Sequence, residues 1–211
     1  MKLDTRELQS LTKAQISLAS ESFAGTFRDY PVSIHYYPDE MERKSGLTVF
    51  FEFLLHYCHK YGEVYTTSPD LEGVAAWLPS EYFPMTNWRI LRSVPIRVVI
   101  DFFRGGNGQM STFSETIDEA HARLVPFRHY FLQVIGVDPI HQGKGLASKL
   151  IRPILERLDE ENLPCYLETL DYPTVPIYEH FGFQVLEEIR IPGTDLKNWS
   201  MLRKPRRPGR I

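Results

Sequence analysis

Cysteine is scarce in this sequence: Cys58 and Cys165 are the only two in 211 residues. They stand far apart, each inside an apolar stretch, and they match no metal-ligand spacing. Buried, reduced thiols are therefore the expectation, and no metal is. A catalytic cysteine is the competing reading, but neither residue has an obvious histidine arrangement around it. Long apolar runs are missing too. None is long enough to cross a bilayer, and Met1-Lys2-Leu3-Asp4-Thr5-Arg6-Glu7 places charges where a signal peptide needs an apolar core. Nor is there a large excess of charge. The formal net charge of −3 gives no general attraction to nucleic acid or to an anionic membrane. One local exception is Arg203-Lys204-Pro205-Arg206-Arg207-Pro208-Gly209-Arg210. It is expected to be a solvated, disordered end, because termini fray and prolines block regular structure. The lack of any internal repeat excludes a solenoid. A cytoplasmic enzyme or binding protein remains, of a length that suits one domain with a self-sufficient core.

What the chain does have is clear periodicity. Apolar residues recur at near-helical spacing from Thr12 to Phe27, and Asp39 is placed to cap a second helix ending near Gly62. Glu63 to Thr67 and Gly73 to Leu78 predict two strands joined by a turn at Ser68-Pro69-Asp70. Trp88 to Arg104 predicts helix broken at Pro95, Gly105 to Gly108 a loop, and Ser114 to Val125 a helix capped by Ser114. Tyr130 to Val137 is apolar apart from Gln133, as a central strand should be. An amphipathic helix over Gly145 to Asp159 comes next, with Pro153 expected to interrupt and kink it. Cys165 to Leu170 predicts a strand, Val175 to Phe181 a short helix, and Phe183 to Ile189 and Asn198 to Leu202 two last strands. Strand, helix, strand, helix, strand is an α/β (α+β) pattern.

Between the central strand and its helix lies Gln142-Gly143-Lys144-Gly145-Leu146-Ala147. A strand running through a glycine-rich turn into a helix makes an anion cradle. The first amides of the helix lack intrahelical acceptors, and the dipole puts partial positive charge there. The glycines let a pyrophosphate come close to the backbone, and Lys144 adds a charge. A Walker loop needs a different spacing. A dinucleotide fingerprint would want a glycine at Ser148 and more chain after Gly145.

The remaining match is the Gln/Arg-x-x-Gly-x-Gly/Ala loop of the Gcn5-related N-acetyltransferase (GNAT) family, with Gln142, Gly145 and Ala147 in register. Tyr178-Glu179-His180-Phe181-Gly182-Phe183 resembles that family's Tyr-x-x-x-Gly-Phe signature, although Asp171 stands where asparagine is usual. Across Phe131 to Lys204 the pattern is most similar to small-molecule acetylating members of the puromycin N-acetyltransferase kind. The carriers are Gly-Val-Asp-Pro, Gln-Gly-Lys-Gly-Leu, Pro-Cys-Tyr-Leu-Glu-Thr and the closing Trp-Ser-Met-x-Arg-Lys-Pro. Tyr30-Pro31 extends the likeness less specifically to the N-terminal half.

The resemblance implies one GNAT domain over residues 1–204, with a mixed sheet whose central strands splay at an acetyl-CoA site. The helix-rich part, about 12–125, would lie on the substrate side and about 129–204 would hold the cofactor, with a basic tail, 205–211, after it. Ile135, Gly136 and Val137 would line the pantetheine arm, although a plain bulge is the structural alternative at Gly136. Gln142, Gly143, Lys144, Gly145, Leu146, Ala147 and Asp171 would complete the cofactor site. Tyr178 would protonate the departing thiolate, its alternative being a core tyrosine. Glu168 is the first candidate base, acting through water, with a structural ion pair as its alternative; His129 and His35 come behind it. About half of the aromatics fall between Phe23 and Phe83. Among them Tyr30, Tyr36 and Tyr37 crowd an expected helix-to-helix turn, where they would either line a ligand cleft or simply be core. The implied activity is transfer of acetyl to the primary amine of a small molecule, by direct attack in a ternary complex, with a homodimer as the one assembly allowed for. A protein or peptide acetyltransferase and a non-catalytic acyl-CoA sensor are the alternatives.

Overall fold

The computed structural model describes residues 8–104 and 111–206. The expected glycine loop at 105–108 and residues 207–211 of the tail lie outside the described residues.

Local chemistry sets the helices. Thr12 and Gln15 cap one another, the Thr12 amide donating to Gln15 Oε1 at 3.0 Å, and a 3₁₀ turn there leads into α1, Ile16–Thr26. A short helix, α2, Pro31–Tyr36, occupies what the sequence presents as a turn. Pro31 opens it, because its fixed φ suits the first helical position. The Asp39 carboxylate accepts from the amides of Met41 (2.9 Å) and Glu42 (3.0 Å) and so starts α3, Glu40–Tyr61. Such a cap contributes about 1 kcal/mol. Helices α4, Asn87–Ser93, and α5, Ile96–Arg104, part at Pro95 as expected. Helix α6, Ser111–Leu124, begins before Ser114, which is therefore not its cap. Helix α7, Leu146–Glu160, runs continuously through Pro153 rather than breaking there, with the proline ring buried on its inner face. Helix α8, Val175–His180, is short.

The strands are β1, Gln9–Ser10; β2, Glu63–Thr66; β3, Gly73–Pro79; β4, Tyr130–Val137; β5, Cys165–Thr169; β6, Gln184–Arg190; and β7, Lys197–Arg203. They form one sheet in the order β1-β2-β3-β4-β5-β7-β6. Among the described residues only β4 and β5 are parallel; every other neighbouring pair is antiparallel. The two-residue edge strand β1 carries no periodicity that sequence could reveal. Helices α1 and α3 cover one face, where Phe23, Phe51 and Leu55 pack on Val74 and Ala76. Helices α7 and α8 cover the other, where Leu150, Ile154 and Val175 meet Ala75, Trp77 and Leu167. Among the described residues no helix is long and apolar enough to cross a membrane.

A bulge in β4 turns over the second half of the strand. Trp77 pairs with Leu132 and Ala76 with Val134, leaving Gln133 as the extra residue. One inserted residue reverses the alternation of side chains. Leu132 faces the α7 layer, yet beyond the bulge it is Ile135 that does so, while Val134 turns to α1 and α3. Gly136 then lies under Phe23, and a Cβ there would stand 2.8 Å from its ring.

The basic end departs from expectation at its first residue. Arg203 is buried in β7 and grips the Asp159 carboxylate with two hydrogen bonds, 2.7 and 2.6 Å, to which the Arg206 amide adds a third at 2.7 Å. Removing one partner of such a buried pair typically costs about 3–5 kcal/mol. Arg203 belongs to the core, not to a solvated tail.

Candidate active site

The parallel pairing of β4 with β5 covers Tyr130, Phe131 and Leu132 and then stops. From Gln133 onward β4 keeps β3 on one side, and β5 has drawn away on the other. The sheet therefore splays at the bulge, as expected. Beyond Val137 the Asp138 carboxylate accepts from the Ile140 amide at 2.9 Å and starts a 3₁₀ turn, Pro139–His141. The Gln142 side-chain amide reaches back to donate to the Val137 carbonyl at 3.1 Å, which fixes the loop against the strand end.

Gly143 and Gly145 both have left-handed φ, +75° and +79°, with open space where a Cβ would stand. Gly145 is the N-cap of α7, and no side-chain cap takes up the first amides of that helix. Bare helix amides, glycines without neighbours and the exposed Lys144 make a cradle that fits a pyrophosphate. Lys144 Nζ lies 3.2 Å from His141 Nδ1. Leu146 and Ala147 form the first turn of α7, half-buried. Asp171 starts the 3₁₀ turn before α8, its carbonyl accepting from the Thr174 hydroxyl at 2.7 Å.

On the splayed side a cavity of about 370 Å³ opens between the sheet and helices α2, α3, α5 and α6. Its walls are apolar and rich in aromatic rings, among them Phe27, Phe51, Phe102 and Phe113, and Gln133, Val134 and Ile135 of β4 form part of its floor. Tyr30, Tyr37, Glu168 and Tyr178 all reach it. Tyr36 does not; it packs edge-on to Phe113 at 6.1 Å, one layer behind the wall. The Tyr30 hydroxyl is held by the Leu170 amide, which donates to it at 3.0 Å, and by Thr169 Oγ1 at 2.9 Å. The fold thus brings together the motif tyrosine, the candidate base and two of the three expected pocket tyrosines.

Burial pushes the Glu168 carboxyl up to about 8; the Tyr166 hydroxyl, donating at 2.7 Å, offsets part of this, and the charge of Asp118 adds to it. The partner of Glu168 is thus a tyrosine rather than the cation of the ion-pair alternative. Tyr166 in turn shares a 2.9 Å hydrogen bond with the Ser200 hydroxyl. Burial holds the Tyr178 hydroxyl well above its ordinary range, with Tyr30 and Asp171 adding to the effect. A phenol so placed keeps its proton until a stronger base forms beside it.

His129 and His35 lie elsewhere. His129 sits behind the wall, its Nδ1 bonded to the Phe127 carbonyl at 2.7 Å and its Nε2 to His121 Nε2 at 2.7 Å. Burial lowers the pKa of both rings, that of His121 to about 3 with the neighbouring ring assisting, so the pair is neutral. His35 is exposed, edge-on to Tyr36. Cys58 and Cys165 are fully buried, and burial raises both thiols, Cys58 to about 12.

Asp118, Gln133 and Tyr166 belong to the site without standing out in the sequence as site residues. Asp118 lines the cavity from α6, and burial alone lifts it to about 6. Its only signal is an acid set between the apolar Ile117 and Ala120 of an amphipathic helix. Gln133 shows itself only as the polar exception in its strand. Tyr166 and Glu168 stand two apart in β5, so they share a face.

The match to known proteins agrees with this geometry. Residues 115–183 match the model of the acetyltransferase (GNAT) family. An uncharacterised N-acetyltransferase of Schizosaccharomyces pombe is 32% identical over 181 residues, 81% of this chain and 71% of that one. Among solved structures, histone acetyltransferase HPA2 and related acetyltransferase from Corynebacterium glutamicum superposes with a TM-score of 0.65 at 20% identity, over 95% of this chain and 97% of the other. Arylalkylamine N-acetyltransferase 2 from Aedes aegypti gives 0.56 at 13% identity, over 94% and 98%. By the fungal relative's identity over most of both chains, with the family's strand, loop and helix in place, this chain belongs to the GNAT family of acetyltransferases.

Proposed function

We propose that the protein moves acetyl from acetyl-CoA to the primary amine of a small molecule with an apolar or aromatic body, by direct attack in a ternary complex. The observation that carries this reading is the aromatic cavity at the splay, with Glu168 and Tyr178 on its wall. Acetyl-CoA, when bound, supplies a thioester carbonyl open to attack by an amine. The α7 amides with Gly143, Lys144 and Gly145 would hold its pyrophosphate, and the free edge of β4 at Ile135 to Val137 would take its pantetheine arm. Glu168 takes the ammonium proton, leaving the amine neutral; the raised affinity of its carboxylate for a proton brings it nearer to an alkylammonium. Tyr178 keeps its proton at neutral pH and can give it to a thiolate. Both cysteines are buried with raised thiols, which supports direct attack over a cysteine-borne acetyl group.

Two features weigh against the alternatives. A peptide substrate needs an open groove, whereas Phe102 of α5 and Phe113 and Ile117 of α6 wall the cavity. An acyl-CoA sensor has no use for a buried carboxyl beside an amine-sized space. The Aedes aegypti neighbour acts by name on arylalkylamines, but at its low identity it supports the fold only.

The test is thiol release from acetyl-CoA with a panel of small amines and unstructured peptides. Small apolar amines should drive turnover; turnover with peptides alone overturns the reading. Glu168 must be ionised to act, so kcat/KM should rise as pH climbs through about 8. Glu168→Gln should lose that limb and fall by about 10²-fold or more. A variant that keeps the native pH profile would remove Glu168 from the role of base.

A further inference from the structure

The charged groups that face the cavity are both acids. Glu168 comes from β5 and Asp118 from α6; among the described residues no lysine, arginine or histidine lines it. On the proposed reading, Glu168 is occupied with proton transfer. Asp118 is then left with no task in proton transfer and with no countercharge. Burial lifts its carboxyl, and among the described residues no hydrogen bond or ion pair to it is seen. Gln133, at the bulge, also lines the cavity, and its Oε1 is buried behind that lining without a partner. Buried polar atoms normally find partners, and a carboxylate facing aromatic rings is costly unless something positive meets it. Aromatic faces also attract cations.

We propose that Asp118 is a substrate-recognition residue that binds a second, cationic nitrogen, so that the preferred acceptors are compact diamines with an apolar or aromatic body. This rests on the cavity being the amine site. One nitrogen loses its proton to Glu168 and is acetylated. The other stays an ammonium at Asp118.

The experiment compares matched pairs: benzylamine with its para-aminomethyl analogue, and hexylamine with the six-carbon α,ω-diamine. The quantity read is the ratio of kcat/KM, diamine over monoamine, within each protein. The native enzyme should favour the diamine by about tenfold or more, the effect of one desolvated charge-assisted hydrogen bond. In Asp118→Asn the ratio should collapse toward the factor of about two that two equivalent ends give, while acetyl-CoA affinity and melting temperature are measured as controls. A native ratio near two, or a ratio that survives Asp118→Asn, overturns the inference. If that variant does not fold, the native enzyme decides alone: its ratio should fall as pH drops through about 6, and a flat ratio overturns the proposal. If no small amine is acetylated, the proposed function fails separately. Calorimetry with the diamine then tests the inference: loss of binding in Asp118→Asn supports it, and equal binding overturns it.

Discussion

The two flanks of β4 are built differently. Toward β3 the strand is paired along its whole length, from Tyr130 opposite Pro79 to Val137 opposite Gly73, with a single bulge. Toward β5 the pairing ends at Leu132. The closed flank is held by backbone pairing, and near its end Phe23 of α1 presses on Gly136. The open flank faces aromatic walls and two carboxyls, and the glycine turn before α7 follows the end of the strand. Pairing on one side holds the strand, so that release on the other can expose backbone without unfolding the sheet. Each buried backbone group left unmet would cost about 1–3 kcal/mol, so a bare strand edge beside an anion cradle is where an extended ligand gains most. The β3 flank therefore carries the pairing that holds β4, the proposed site lies on the β5 flank, and substitutions can separate the two.

The sharpest break in that comparison is Gly145→Glu. The position is open to solvent, so a side chain meets nothing, but it must adopt a left-handed φ at about 1–2 kcal/mol. Its carboxylate would also fill the cradle with the wrong charge. Calorimetry should show acetyl-CoA affinity down by at least about a hundredfold, with cooperative unfolding retained. Native affinity in a folded variant would mean that the α7 turn is not the phosphate site.

Tyr178→Phe comes next. The ring packs against Phe183, centroids 6.1 Å apart, and phenylalanine keeps that contact while removing the proton. A general acid typically contributes about 10²–10⁴-fold, so steady-state kinetics should give kcat down by at least about tenfold even with water substituting in part. Acetyl-CoA affinity should hardly move, because the cradle and strand edge are intact. A native kcat would make Tyr178 a wall residue only; lost affinity with a lowered melting temperature would move it to the closed flank's kind of role.

The same division governs what is legible in the sequence. The strand-loop-helix over residues 130–160 and the Tyr178 signature are contiguous, and their chemistry fixes their spacing, so the family and the splay can be read. Asp39, Pro95 and the hairpin turn can be read for local reasons. The cavity cannot. Its walls come from α2, α3, α5 and α6, and an aromatic residue looks alike in sequence whether it fills a core or lines a hole: Tyr37 lines the cavity while its neighbour Tyr36 stands behind the wall. Asp118 becomes meaningful only when α6 is laid over β5. Arg203 looks like tail because its partner, Asp159, lies 44 residues away.

Gln133 tests where the two flanks meet, and its effect should be the smallest. It is the bulged residue on the β3 side and the last step before the opening on the β5 side. Its backbone sets the register; its side chain, with Oε1 buried and unpartnered, does not hold the sheet together. Methionine has similar length and no hydrogen-bonding demand. Gln133→Met should therefore leave the bulge in place and relieve a polar atom of its burial, raising stability by about 1 kcal/mol. Thermal or denaturant unfolding reads this directly, with no substrate present. Amine kcat/KM should drop at the same time, because a polar side chain lining the cavity is gone, while acetyl-CoA affinity should stay native. Stability and activity moving in opposite directions is the signature of a group kept for a ligand. If stability falls instead, the Gln133 side chain is part of what holds β4 in register, and the boundary between the two flanks lies further along the strand.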